Sequence, residues 1–165
     1  MMAILQSETV ECFSRSADQS KRFGMRLGNL LQPGDLICFS GELGAGKTTF
    51  IQGIAQGWGS FDPVTSPTFV LINEYNRMDG NVLFHFDAYR IGSHWEAEEL
   101  DLDRMMQQGP LLIEWAERIE PILPEDRLWI RMDWVSDEQR RIVIEPQGTR
   151  YVALAQAFRQ KSFGV

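Results

Sequence analysis

Short apolar runs and longer helical-period stretches follow one another along this chain, and the changes of pattern mark its elements. Thr9 to Phe13 reads as a first short strand. Ser16-Ala17-Asp18-Gln19 has the spacing of a capping box, in which the serine and glutamine side chains satisfy free amides at a helix start. Phe23, Leu27, Leu30 and Leu31 then recur at helical spacing, predicting a helix with one buried face. Pro33-Gly34-Asp35 is a turn, Leu36 to Ser40 a short apolar strand, and a second helix is expected from Lys47 to about Gly57–Gly59. Thr68 to Asn76 and Val82 to Tyr89 read as extended, and His94 to Gln108 as one helix ended by Gly109-Pro110. Leu111 to Trp115 is another apolar strand. Leu128, Ile130, Met132 and Trp134 alternate on one face of a half-buried strand. A turn over Ser136 to Gln139 predicts a hairpin with Arg141 to Glu145, and Tyr151 to Gln160 a final helix.

Strands and helices intermixed in this way predict an α/β sandwich whose mixed central sheet is flanked by helices. The 165 residues are about one domain's worth, so residues 1–165 are expected to form a single unit. An apolar content of 44% and a charged content of 24% are those of an ordinary soluble protein. No stretch approaches the roughly 20 apolar residues that span a bilayer. Met1 to Ser7 lacks the features of a secretory signal, so a cytoplasmic location and no membrane contact are expected. Cys12 and Cys38 fit that compartment as reduced, buried thiols, and His85 and His94 show no metal-ligand spacing.

The net charge of −7 narrows the partners. Nucleic-acid binding draws its affinity from neutralising phosphates, and here the basic residues are scattered and outnumbered. Direct nucleic-acid binding is not expected. In a nucleic-acid process, a partner would hold the nucleic acid.

The strongest chemistry lies in Gly41-Glu42-Leu43-Gly44-Ala45-Gly46-Lys47-Thr48, a P-loop pattern set between a predicted strand and a predicted helix. Backbone amides of Gly44, Ala45, Gly46, Lys47, Thr48 and Thr49 can point at phosphates there, aided by the positive end of the helix. Lys47 would reach the outer phosphates, and the Thr48 hydroxyl would ligate Mg²⁺. Such a site needs a carboxylate at the end of a neighbouring apolar strand. Asp87 and Glu114 each end one, and spacing does not rank them. Both can be used, one on the metal and one orienting water.

Weaker features each admit a plain reading. Ser66-Pro67-Thr68 is either a phosphate-sensing loop or a turn, and Trp115 either a platform or a core residue. Glu96, Glu98, Glu99, Asp101 and Asp103 are either a solvated face or a docking surface.

An ordered series of segments identifies a resemblance: Gly41 to Phe50, Ser66-Pro67-Thr68-Phe69, His85-Phe86-Asp87-Ala88-Tyr89-Arg90, Glu98-Glu99-Leu100 and Ile113-Glu114-Trp115. Over nearly its whole length the chain resembles the TsaE family, the bacterial ATPase subunit of the machinery that makes threonylcarbamoyladenosine in tRNA. The resemblance implies a P-loop NTPase-like fold and an Mg²⁺-dependent ATPase, slow alone and stimulated by partners. Those partners are a TsaD-like threonylcarbamoyl transferase and its TsaB-like companion, a complex that ATP turnover resets while the tRNA adenosine beside the anticodon is modified. It further implies Thr48 and Glu114 as magnesium ligands and Lys47, Asp87 and Glu114 as the catalytic set. Trp115 becomes a residue on which activity depends. Adenine would lie near Ser16 and Ala17, with the hairpin at Gln139 and Arg140 in reach of the nucleotide. Glu42 stands where the family more often has aspartate, Ala88 where it has leucine, and Asp101-Leu102 where Gly-Leu is usual.

Two other classes compete. A small P-loop kinase for a metabolite carries the same loop, but it needs an arginine-bearing lid, and the adjacent pair Arg140-Arg141 falls in the hairpin instead. A nucleotide-gated interaction module would need fewer carboxylates than Asp87 and Glu114 supply.

Overall fold

Leu36–Ser40 (β2) and Leu111–Glu114 (β5) are apolar on both faces and buried on both. Only strands at the centre of a covered sheet tolerate that pattern. In the computed structural model, which describes residues 8–64 and 72–165, these two strands lie parallel at the middle of one sheet. The other strands are Val10–Ser14 (β1), Ile72–Asn76 (β3), Val82–Asp87 (β4), Arg127–Trp134 (β6) and Arg140–Gln147 (β7). The seven run in the order β1-β7-β6-β2-β5-β4-β3. β6, β2, β5 and β4 are mutually parallel, while β1, β7 and β3 pair antiparallel at the two sides. The mixed sheet flanked by helices is thus present, and the expected hairpin is β6–β7.

The helices are Ala17–Gly28 (α1), Lys47–Trp58 (α2), His94–Glu98 (α3), Leu102–Gln108 (α4) and Thr149–Phe163 (α5). At the start of α1 the Ser16 hydroxyl accepts the Gln19 amide at 3.1 Å. The Gln19 side chain reaches back to the amide of Arg15 at 2.7 Å, so the box closes one residue earlier than its usual form. Among the described residues no helix is long and apolar enough to cross a membrane. Both cysteines are free and buried, and burial pushes their thiols up to about 11 at Cys12 and about 12 at Cys38.

Two helices meet without side chains between them. A Cβ placed on Gly24 would lie 2.2 Å from the Phe50 carbonyl oxygen, and one on Gly28 2.0 Å from that of Ile54. From the other side, Gly53 faces the Lys21 oxygen at 2.1 Å and Gly57 the Met25 oxygen at 2.0 Å. Glycines four apart on each helix line one stripe. They let α1 and α2 touch backbone to backbone, which fixes α1 against the helix that follows the glycine loop. A second tie holds the 33–35 turn: Asp35, 2% exposed, takes both its oxygens to Arg150 at 2.9 and 2.8 Å.

Three expectations need correction. The single helix over His94–Gln108 is two, broken at Asp101, whose φ is 54°. Ala97 and Leu102 are both buried, and five residues on an unbroken helix would turn them about 140° apart. The left-handed step brings both to the core. Trp134, expected on the buried face, is 54% exposed. β6 loses its β2 neighbour after Arg131, so its last residues project past the layer that would cover them. The first helix stops at Gly28, short of Leu30 and Leu31. Ser66-Pro67-Thr68-Phe69 and the first half of the extended segment expected over Thr68–Asn76 lie outside the described residues.

Gly53→Ala is expected to destabilise the protein by about 1–3 kcal/mol through overpacking, although helix propensity alone would stabilise it by about 1 kcal/mol. Urea unfolding decides the sign. A stabilised variant would refute the close approach of α1 and α2.

Candidate functional site

The loop from Gly41 to Gly46 owes its shape to three glycines at positive φ: Gly41 at 137°, Gly44 at 80° and Gly46 at 90°. Two of them answer different needs. A Cβ on Gly41 would sit 2.2 Å from the Met132 oxygen, whereas one on Gly44 would meet nothing within 4 Å. Gly41 is therefore a packing requirement, and Gly44 a backbone left open to its surroundings. Gly46 caps α2 with no side chain over its first amides, so the positive end of the helix faces outward.

Lys47, only 6% exposed, donates to the Gly41 carbonyl, and its ammonium lies 3.7 Å above the Trp115 ring. Burial depresses its pKa, against the pull of Glu114, Glu117 and Asp87. The two carboxylates left unranked by spacing are ordered by the sheet. Glu114 ends β5, directly beside β2, with Phe39 as its partner on one side and Asp87 on the other. Asp87 ends β4, one strand further out. Glu114 is 4% exposed and Asp87 half-buried. Burial raises the Asp87 pKa, the Tyr89 amide at 2.9 Å lowers it, and the Glu114 charge raises it further.

Trp115 follows Glu114 with a φ of 57°, an uncommon backbone for an aromatic residue. That turn sets its ring 5.0 Å from the ring of Tyr89, with the Arg118 guanidinium 5.8 Å away. Opposite, Arg140 enters from β7. Its Nη1 donates to the carbonyls of Ser136 at 2.7 Å and Gln139 at 2.9 Å, while its buried Nε has no hydrogen-bond partner among the described residues.

These groups enclose a cavity of about 430 Å³ lined by Leu43 to Thr49, Asp87, Tyr89, Glu114, Trp115 and Arg140. Lys47, Thr48, Asp87, Glu114 and the loop glycines are thus brought together. Ser16, Ala17 and Gln139 do not line it. They stand just beyond, since Ser14 at the end of β1 is the register partner of Arg140. The five acids Glu96, Glu98, Glu99, Asp101 and Asp103 are all exposed. No group of three or more His, Cys, Asp or Glu side chains able to hold a metal occurs among the described residues.

Sequence reasoning missed a buried pair behind the carboxylates. His85 contacts Glu114 through Nε2 at 2.7 Å and the Tyr75 hydroxyl through Nδ1 at 2.8 Å. The available signal was strand alternation: His85 stands two residues before Asp87 and so on the same face.

A glycine loop after a central parallel strand, opening a helix with two acids at the ends of the next two strands, defines a P-loop-like α/β fold. The family model described as "Threonylcarbamoyl adenosine biosynthesis protein TsaE" matches residues 14–142. The chain belongs to the TsaE family. It is 41% identical to the tRNA threonylcarbamoyladenosine biosynthesis protein TsaE of Bacillus subtilis, over 84% of this chain and 87% of that one. With the protein of the same name from Streptomyces coelicolor it shares 42% identity, over 79% and 93% of the two chains. The crystal structure of Bacillus subtilis YdiB superposes with a TM-score of 0.77 at 34% identity, covering 93% of this chain and 96% of the other.

Asp87→Asn is expected to raise the unfolding midpoint by a few degrees near neutral pH without nucleotide or magnesium. A carboxyl that titrates higher in the folded chain loses stability as pH climbs from its ordinary 3.8 to the raised value. The gain should therefore vanish at more acidic pH. Melting curves from pH 3 to 8 test this, and an equal or lower midpoint for the variant at pH 7 would contradict it.

Proposed function

We propose that this chain is an ATP-binding and ATP-hydrolysing subunit required for threonylcarbamoyladenosine modification of tRNA beside the anticodon. It acts in the cytoplasm by binding and resetting a complex of a TsaD-like threonylcarbamoyl transferase with a TsaB-like partner. One observation carries the proposal: Glu114 and Asp87 are paired at the ends of β5 and β4, on the cavity that the glycine loop and Lys47 line.

The donor set suits a phosphate chain carrying a divalent cation. Backbone amides of the loop and of the start of α2, together with the Lys47 ammonium, would bind phosphate oxygens. Arg140 also lines the cavity, and its buried Nε has no hydrogen-bond partner among the described residues. Mg²⁺ would be held by the Thr48 hydroxyl and the Glu114 carboxylate, its other positions being left to phosphate and water. Bound there, the ion would neutralise charge on the phosphates. Asp87 orients the attacking water, and its raised pKa suits a group that takes up a proton. Ser16 and Ala17, two and three residues past the Ser14–Arg140 register pair, would take the adenine end of the nucleotide. The net charge of −7 leaves the tRNA to the partners.

Lys47→Ala and Glu114→Ala are each expected to cut ATP turnover by about 100-fold or more, as loss of a charge-stabilising group does. Asp87→Ala should lower turnover far more than nucleotide affinity, and chelating Mg²⁺ should stop turnover. Phosphate release measured against calorimetric binding checks all of these. Full turnover in Glu114→Ala with none in Asp87→Ala would exchange the two roles.

Hydrolysis should also rise when the TsaB–TsaD heterodimer is added. No rise, together with no co-migration on a sizing column, would sink the partner assignment.

A further inference from the structure

Behind the two carboxylates runs a buried polar chain that phosphate binding does not use. His85, on β4, is 0% exposed, and Tyr75, on β3, is also buried. The Tyr75 hydroxyl lies 2.8 Å from His85 Nδ1, and His85 Nε2 lies 2.7 Å from Oε2 of Glu114. The Asn73 side chain also acts on the same hydroxyl, lowering its pKa against the effect of burial.

The direction of these bonds can be worked out. Burial pushes the Tyr75 phenol up to about 12, so it keeps its proton and has one hydrogen to donate. The His85 atom facing it is Nδ1, which accepts. The ring hydrogen then resides on Nε2 and points at the Glu114 carboxylate, an acceptor. A fully buried imidazole is costly unless both nitrogens are paired, and here each partner is specific. An apolar side chain at the same position of β4 would carry no such cost. The chain begins in the core and ends on a cavity-lining oxygen pair.

We propose that His85 is a positioning residue for Glu114. Its Nε2–H engages Oε2 and so fixes the carboxylate rotamer, leaving the other oxygen for the metal-bearing nucleotide, while Tyr75 locks the imidazole tautomer. This rests on Glu114 being the magnesium ligand, as proposed above. Partners that orient a metal-binding group in this way commonly account for about 10- to 100-fold in metal affinity.

The test compares wild type with His85→Leu, His85→Gln and Tyr75→Phe. The affinity for a non-hydrolysable ATP analogue is measured by calorimetry with and without Mg²⁺, and circular dichroism reports folding. Wild type should bind more tightly with Mg²⁺. His85→Leu should lose about 10- to 100-fold of that enhancement, with magnesium-free affinity unchanged. His85→Gln, whose amide can donate near the Nε2 position, should recover most of it. Tyr75→Phe keeps the ring and the core packing and should lose a smaller part, so the proposal stays testable if His85→Leu does not fold. Nitrogen-15 spectra of the free wild type should place the His85 hydrogen on Nε2. An unchanged magnesium enhancement in Tyr75→Phe and in every folded His85 variant, or a hydrogen on Nδ1, overturns the proposal alone. A wild type whose analogue binding ignores Mg²⁺ overturns the assignment of Glu114, and this inference with it.

Discussion

The candidate site depends on the register of three parallel strands. Phe39, Glu114 and Asp87 stand abreast across β2, β5 and β4, so both acids finish level with the start of the glycine loop. Because side chains alternate, a slip of one residue in β5 would send Glu114 to the opposite face and remove it from the cavity. The apolar runs of β2, β4 and β5, buried on both faces, hold that register. Their interior pairs are therefore as much a part of the site as the residues that line it.

Placing two acids and a lysine in a half-enclosed cavity has an electrostatic cost. Burial pushes the Asp87 carboxyl up and the Lys47 ammonium down, so each charged form is disfavoured. The attraction between the lysine and the acids offsets only part of this. Lys47 meanwhile rests on the Gly41 carbonyl and the Trp115 face, two weakly negative surfaces. The left-handed backbone at Trp115 makes that arrangement possible, and strain of this kind persists where surrounding packing enforces it. A magnesium nucleotide carries both signs of charge and would relieve the acids and the lysine together.

Much of this was legible in the sequence, and what was not has physical causes. The glycine loop, most strand positions and the α1 cap are local patterns, set by residues close in the chain. Spacing did not order Asp87 and Glu114, although the family resemblance implied Glu114 as the metal ligand, because both strands are equally apolar and only β5 pairs with β2. The break at Asp101 was hidden since no glycine or proline marks it; burial of Ala97 and Leu102 decides it instead. Trp134 continues a perfect alternation, yet is exposed because its neighbour strand has ended. The glycine stripe of α1 and α2 is visible as Gly24, Gly28, Gly53 and Gly57 only once the two helices are known to cross. His85 showed no metal-ligand spacing in the sequence, and its partners Tyr75 and Glu114 lie on the strands either side of it.

Family membership and cavity chemistry constrain different things. The names of the relatives point to a pathway that modifies tRNA, but the surface of this chain, at a net charge of −7, is poorly suited to gripping a polyanion. The cavity brings Lys47, Thr48, Asp87 and Glu114 together, side chains that would suit phosphate oxygens and a cation on the function proposed. No group of three or more His, Cys, Asp or Glu able to hold a metal occurs among the described residues. An acidic protein in such a pathway is coherent if its phosphates are those of a nucleotide and its contact with RNA is indirect. On that view the buried polar chain behind Glu114 matters more than any surface charge. It sets the one oxygen pair on which a bound cation would depend, from a part of the core that solvent does not reach.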